Sequence, residues 1–302
     1  MSIKLIVSDI DYTLIDGPTL PTSRVIQVLR RAMQRGISVA VATGRGLFEA
    51  RHIAQCIGGI RYCICMTGAE LYDLQEERSI FCRTIPNKLL KRVVEAAEQF
   101  PGVYCQLYCE NEIVADKQAM EAIRENETAM RYLDTVKDRL IVAEDIAKAV
   151  EERALKGAKF LIIAKKQEQL APLKAEILKT PGLSAVFSGS WSVEVMDASV
   201  TKGTALRELR EKLGVRKEEV LAIGDSENDV AMLEEAGIGV AMGNATAPLL
   251  KCAKHIVPPV WEDGAAVEEG RWGRGGEEGG ETGVGKCEVD DTEECSPGEK
   301  KG

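Results

Sequence analysis

Histidine is almost missing from this sequence: only His52 and His255 occur in 302 residues. Phosphoryl transfer through a histidine, or a metal centre built on imidazoles, needs more than two such scattered ligands. Positive charge is also short, with 39 Lys and Arg against 48 Asp and Glu, a formal net charge of -9. Residues 264–302 hold 11 acidic and 5 basic side chains, a net -6, which leaves -9 - (-6) = -3 for residues 1–263. So nearly neutral a body offers no basic field to a phosphate backbone, and no nucleic acid is expected as a partner. No apolar run approaches the roughly 20 residues that cross a bilayer, and the N-terminus enters a strand-like run without a cleavable leader. No membrane partner is therefore expected, and the expected localisation is cytoplasmic. A disulfide framework is missing too. The nine cysteines are odd in number and scattered, and the Cys63-Ile64-Cys65 spacing does not suit a zinc knuckle, so they read as buried thiols in a reducing compartment.

Apolar residues make up 45% of the chain and charged residues 29%, an ordinary balance for a soluble globular protein long enough for two domains. The organising stretch is Lys4-Leu5-Ile6-Val7-Ser8-Asp9-Ile10-Asp11-Tyr12-Thr13-Leu14. Its continuous apolar run predicts a strand buried on both faces, as in parallel sheets covered by helices. Asp9 falls at the carboxyl end of that strand, where open α/β sheets place ligands. Two carboxylates so close repel each other unless a cation or a shared proton is present.

Val25, Ile26, Leu29, Ala32 and Met33 recur at helical spacing, and Ile37 to Ala42 is a second short apolar strand ending in Thr43-Gly44-Arg45. Strand, helix and strand in so short a span form a βαβ unit with parallel strands. Thr43 then emerges at the same sheet edge as Asp9. A helical stripe over 47–57, a strand at 62–66 and a hairpin over 71–82 follow.

From about Thr84 the pattern changes. Segments 86–100 and 117–132 read as helices and 103–115 alternates as strands do. Segments 144–155, 159–164, 167–179 and 183–188 read helix, strand, helix, strand. This block carries no acidic cluster at a strand end and reads as an inserted α/β domain. The first pattern returns at Trp191, with a strand over 192–196, Lys202-Gly203 opening a helix, and the buried strand Val220 to Gly224 ending in Asp225-Ser226-Glu227-Asn228-Asp229. There Ser226 is placed to cap the following helix. Gly237 to Met242 and His255 to Val257 are the last strands. Beyond Gly264 the chain turns to Gly and Glu with almost no large apolar residue after Trp272. Such a segment buries too little surface to offset its ordering entropy and is expected to be disordered.

Asp9/Asp11, Thr43, Lys202 and Asp225/Asp229 thus emerge at or beside the ends of buried strands. Alone, each is a common turn former, cap or loop residue. Together they suit hard-cation chemistry: carboxylate oxygens fit Mg²⁺, and a hydroxyl with an ammonium fits phosphate oxygens. The combination describes a phosphoryl-transfer site.

These motifs carry a resemblance. Asp9-Ile10-Asp11-Tyr12-Thr13, Thr43 in Ala42-Thr43-Gly44-Arg45, Lys202-Gly203, and Gly224-Asp225-Ser226-Glu227-Asn228-Asp229 followed by Gly239 to Ala245 occur in the order found in the haloacid dehalogenase-like hydrolases. The chain resembles the Cof-type phosphatases of that superfamily over about residues 1–263. The resemblance implies a Rossmann-like parallel-sheet core with helices on both faces, formed by residues 1–83 and 189–263. An inserted α/β (α+β) cap at 84–188 would select the substrate, and a disordered tail would fill 264–302. It also implies that Asp9 attacks phosphorus to give an aspartyl-phosphate and that Asp11 works as acid and base. Asp9, Asp225, Asp229 and the Asp11 backbone carbonyl would hold Mg²⁺, while Thr43, Gly44, Lys202 and Asn228 would bind phosphate or substrate. The expected activity is Mg²⁺-dependent hydrolysis of small phosphorylated metabolites such as sugar phosphates or phosphoglycolate. A phosphomutase and a silent phosphate-binding module are the alternatives. Departures from the family pattern are Tyr12, where Gly is frequent, Thr67-Gly68-Ala69, where Asn-Gly-Ala is common, and the acidic tail. Arg45, Glu110, Arg131 and Trp191 read as surface or packing residues before they read as specificity determinants.

Overall fold

The apolar run at the start of the chain forms β1 (Leu5–Ser8), every residue of which is buried. Complete burial of a Leu, Ile or Val side chain contributes about 1.5 to 3 kcal/mol relative to exposure, and this fixes β1 at the centre of a sheet. The computed structural model describes residues 2–17, 19–110, 112–118, 120, 136–188 and 191–266.

Around β1 an eight-stranded sheet is assembled from β2 (Ser38–Ala42), β3 (Tyr62–Cys65), β4 (Glu70–Asp73), β5 (Arg78–Cys82), β12 (Val220–Gly224), β13 (Ile238–Met242) and β14 (His255–Val257). Its order is β14-β13-β12-β1-β2-β3-β4-β5. The strands from β14 to β3 run parallel, and the hairpin β4–β5 adds two antiparallel strands at the edge. Successive side chains of β1 face opposite ways. Ile6 packs with the helices Ser23–Gln34 and Leu47–Ile57, while Leu5 and Val7 pack with Lys202–Lys212 and Val230–Glu235. Both faces are therefore covered, as the continuous apolar strands require. The first helix is started by Thr22, whose hydroxyl accepts the Val25 N–H at 3.3 Å.

The second sheet, in the order β10-β11-β9-β6-β7-β8, is built from β6 (Val103–Cys109), β7 (Ile113–Asp116), β8 (Leu140–Ala143), β9 (Gly157–Ala164), β10 (Leu183–Phe187) and β11 (Ser192–Asp197). Helices Asn87–Ala97, Ile146–Glu152 and Leu170–Ile177 supply apolar stripes to its core. Met66 and Ala69 from the first sheet's loops pack with Tyr108, Ala158, Met196 and Val200 where the two bodies meet.

Three sequence expectations change here. The sequence pattern gives the strand at 192–196 to the return of the first body, with the core boundary at residue 189. That strand is β11, antiparallel to both β10 and β9 in the second sheet. The boundary at 188/189 would thus separate hydrogen-bonded neighbours, and the chain rejoins the first body only at the helix Lys202–Lys212. The tail boundary shifts as well: Ala265 and Ala266 are buried in the core beside β1, while residues 267–302 lie outside the described residues, as does most of the helix read over 117–132. Third, the Ser226 hydroxyl does not cap the turn that follows it. It donates to Asn228 Oδ1 at 3.3 Å, and the Asp229 carboxylate accepts the Asp225 and Ser226 N–H groups instead, each at 3.1 Å.

Candidate active site

Because β12 and β2 flank β1 in parallel register, the residues that follow these three strands leave the sheet at one edge. They are Asp225, Thr43 and Asp9. Strand order reverses here, with β2 on one side of β1 and the late strands on the other, and such a switch point opens a crevice for ligands.

Carboxylate oxygens of Asp9, Asp225 and Asp229 all lie within 4.8 Å of one another, and all three residues are buried. Lys202 reaches them from the first turn of its helix, which Thr201 starts by accepting the Thr204 N–H at 2.9 Å. The helix approaches its neighbour closely: a Cβ at Gly203 would stand 2.2 Å from the Ala231 carbonyl oxygen. Lys202 Nζ donates to Asp9 Oδ1 and to Asp229 Oδ1, both at 2.6 Å. Burial opposes the ammonium's charge, yet Asp229 and Asp9 outweigh it and push Lys202 up. Both oxygens of Asp229 have partners, Oδ1 the single ammonium of Lys202 and Oδ2 the two backbone N–H groups, so Oδ1 keeps room for a further one. Asp225 accepts from the Thr13 hydroxyl at 3.3 Å, which ties the β1 loop to the β12 loop.

Three carboxylates face one ammonium, and the surplus negative charge shows in the titration of the group. Burial pushes Asp9 up to about 7; Lys202 opposes the shift, while Asp229 and Asp11 add to it. Burial, with Asp9 and Asp229 in support, pushes Asp225 up to about 9 against Lys202 and the Thr13 hydroxyl. Such a donor set, hard oxygens with uncompensated charge, fits a divalent cation, and Asp9, Asp225 and Asp229 are the side chains that would hold it.

Asp11 stands at the mouth of the site, and Arg45 grips it with two bonds, Nε to Oδ2 at 2.8 Å and Nη2 to Oδ1 at 2.6 Å. Arg45 is therefore no surface residue: 8% of it is exposed, and its planar fork fixes the Asp11 carboxylate. Thr43 is buried, and its hydroxyl accepts the Arg45 N–H at 3.1 Å, which leaves the hydroxyl proton for another acceptor. Asn228 Nδ2 donates to Glu194 Oε2 at 3.3 Å, so this amide is directed at a residue of the second sheet. Trp191 is 53% exposed, Glu110 is exposed on the second body, and Arg131 lies outside the described residues.

Both departures in the loops have a backbone meaning. Tyr12 has φ +56° and Thr67 φ +59°, the left-handed region where Gly or Asn is at ease and a β-branched Thr is strained. Thr67 compensates with its hydroxyl, which donates to Glu194 Oε2 at 2.5 Å. Glu194 and its partner Lys159 are the residues that sequence reasoning passed over. A signal existed, since each is a single charge inside an apolar strand run, and such a charge must find a partner when buried. Burial pushes the Glu194 carboxyl up, but Lys159 and the Thr67 hydroxyl outweigh it and hold the group below its ordinary value.

The pattern of the haloacid dehalogenase-like hydrolases matches residues 6–268. A 5-amino-6-(5-phospho-D-ribitylamino)uracil phosphatase of Bacillus subtilis strain 168 is 28% identical over 272 residues, covering 90% of this chain and 96% of the relative. A pyridoxal phosphate phosphatase of Escherichia coli K12 is 25% identical, covering 81% and 89%. Among solved structures, a haloacid dehalogenase-like hydrolase from B. subtilis superposes with a TM-score of 0.80 at 26% identity, over 88% of this chain and 99% of that one. The match spans most of the chain, from within β1 to beyond the last described residue, so the chain belongs to the haloacid dehalogenase-like hydrolases.

Proposed function

We propose that this protein is a phosphatase that hydrolyses small phosphorylated metabolites through an aspartyl-phosphate on Asp9. The observation that carries the reading is the meeting of Asp9, Asp225 and Asp229 within 4.8 Å with Lys202 bonded to two of them. The relatives support the substrate class, since both named above act on small phosphate monoesters.

Lys202 occupies one oxygen of Asp9 and leaves the other to attack phosphorus. As that bond forms, the bond from phosphorus to the leaving oxygen breaks, and Asp11 gives the leaving oxygen a proton. Asp11 then takes a proton from water, whose oxygen attacks the phosphorus of the acyl phosphate. The bond to Asp9 breaks and inorganic phosphate leaves. Arg45 holds Asp11 by both oxygens in the resting site and must give up one of them when Asp11 carries the proton, while the Thr43 hydroxyl, the Gly44 loop, Lys202 and Asn228 bind the phosphoryl oxygens, where positive charge and donors favour the transition state. Mg²⁺ suits the oxygen set of Asp9, Asp225, Asp229 and the Asp11 backbone carbonyl. When bound, it would neutralise the surplus charge that otherwise repels an incoming phosphate dianion.

The test is phosphate release from p-nitrophenyl phosphate and from a panel of phosphorylated metabolites, with Mg²⁺ and after chelation. Turnover should require the cation and should fall by at least about a thousandfold in Asp9→Asn, with circular dichroism unchanged. Metal-independent release, or a fully active Asp9→Asn variant, would sink the proposal. Movement of the phosphoryl group to a second hydroxyl without net release would identify a mutase instead.

A further inference from the structure

Where the second sheet meets the first, it carries two buried charges, Lys159 on β9 and Glu194 on β11, which are 1% and 2% exposed. Lys159 Nζ and Glu194 Oε1 are 2.7 Å apart. The pair does not end with itself. Lys159 Nζ also donates to the Gly44 carbonyl oxygen at 2.6 Å, and Glu194 Oε2 accepts from the Thr67 hydroxyl at 2.5 Å and the Asn228 amide at 3.3 Å. Three separate loops of the first body, those after β2, β3 and β12, therefore converge on one ion pair supplied by the other body. Gly44 leaves room for it, since a Cβ there would lie 2.5 Å from Glu194 Oε1.

The contact with Gly44 leads directly to the reacting groups. The Gly44 carbonyl and the Arg45 N–H belong to one peptide unit, and that N–H donates to the Thr43 hydroxyl at 3.1 Å. Fixing the plane of this peptide orients Thr43 on one side and, through the Arg45 side chain, the Asp11 carboxylate on the other. Apolar residues of similar volume commonly stabilise a core as well as a buried ion pair does, and the better attested use of such pairs is to set register. Stability alone therefore does not account for Lys159 and Glu194.

We propose that Lys159 and Glu194 are positioning residues that make the phosphoryl-binding site complete only when the second sheet is seated on the first. The inference rests on the phosphatase reading. It assigns the pair no contact with substrate; the pair acts through the Gly44–Arg45 peptide, Thr67 and Asn228.

The test compares wild type with the double variant K159M/E194M, which removes both charges together and leaves neither one buried without a partner. Three readouts are needed: kcat and KM for p-nitrophenyl phosphate and for glucose 6-phosphate, the dissociation constant of inorganic phosphate by calorimetry, and Tm. Positioning requires kcat to fall at least tenfold for both substrates alike and phosphate to bind at least tenfold more weakly, with Tm within a few degrees of wild type. Lys159→Arg, which keeps the charge and the donors, should recover most of the activity. Thr67→Val, nearly isosteric, should move the same readouts in the same direction by a smaller factor and serves should the double variant not fold. A loss confined to glucose 6-phosphate would make the pair a leaving-group contact and overturn the proposal. A lowered Tm with unchanged kcat and phosphate affinity would make it purely structural and overturn it equally. If wild type hydrolyses neither these substrates nor any member of the metabolite panel, the phosphatase reading fails, and phosphate affinity alone decides the inference.

Discussion

Glu70 lies on β4 with 1% of its surface exposed, and its Oε2 has no hydrogen-bond partner. Burial pushes its carboxyl up to about 7, against the Ser79 hydroxyl and with help from Glu110. A carboxyl that holds its proton more tightly folded than unfolded makes the folded state the better proton binder between the ordinary glutamate range and about 7. Stability from this group is therefore lost as pH rises through that window and stays lost above it. Glu70→Gln should abolish the loss. At pH 8 the variant should be about 2 to 3 kcal/mol more stable than wild type, with the difference vanishing near pH 4, as urea unfolding at several pH values would show. A wild type equally stable across the window would refute it. At this scale the sequence was informative about what stood at each position and silent about backbone angle. Tyr12 and Thr67 were visible as substitutions for Gly and Asn, but that both sit at positive φ, and that Thr67 is held there by Glu194, depends on loops closing over one another. Arg45 was likewise undervalued, because nothing local reveals that its guanidinium reaches Asp11 across 34 positions of sequence.

At the scale of elements, the strands of the first sheet and the helices between them were legible, because continuous apolar runs alternating with helical stripes leave few other arrangements. The hairpin β4–β5 was equally plain from its polar tip. The strand β11 was placed in the wrong sheet. A run such as Val193-Glu194-Val195-Met196 reports that a strand is buried and not which strand it pairs with, and its partner β9 begins 35 residues earlier. The contact between helices Lys202–Lys212 and Val230–Glu235 supplies a test at this scale. Gly203→Val must move one helix off the other, since even a Cβ would meet the Ala231 carbonyl. The expected cost is about 1 to 3 kcal/mol, read as a Tm several degrees lower. Turnover should drop as well, because the neighbouring Lys202 moves with the helix. An unchanged Tm would show that the two helices accommodate the added bulk and would refute the prediction.

For the whole molecule, the composition of residues 270–302 and the burial of Ala265 and Ala266 lead to opposite expectations for two truncations. A chain ending at residue 269 keeps both alanines in the core and should match the full-length protein in Tm and, within about twofold, in activity. A chain ending at residue 263 loses side chains that are 0% and 4% exposed and leaves a cavity beside β1, so its Tm should fall measurably. Equal melting temperatures for the two would mean that these alanines contribute nothing. The connection between the two bodies has its own consequence. The chain crosses between the bodies at 83–86 and returns at 198–201, where Asp197 ends β11 and Lys202 begins the next helix. Four residues span at most about 14 Å even when pulled straight, and Val200, buried at the junction, shortens that reach. So short a link ties the placement of the second sheet to the point where the helix carrying Lys202 begins.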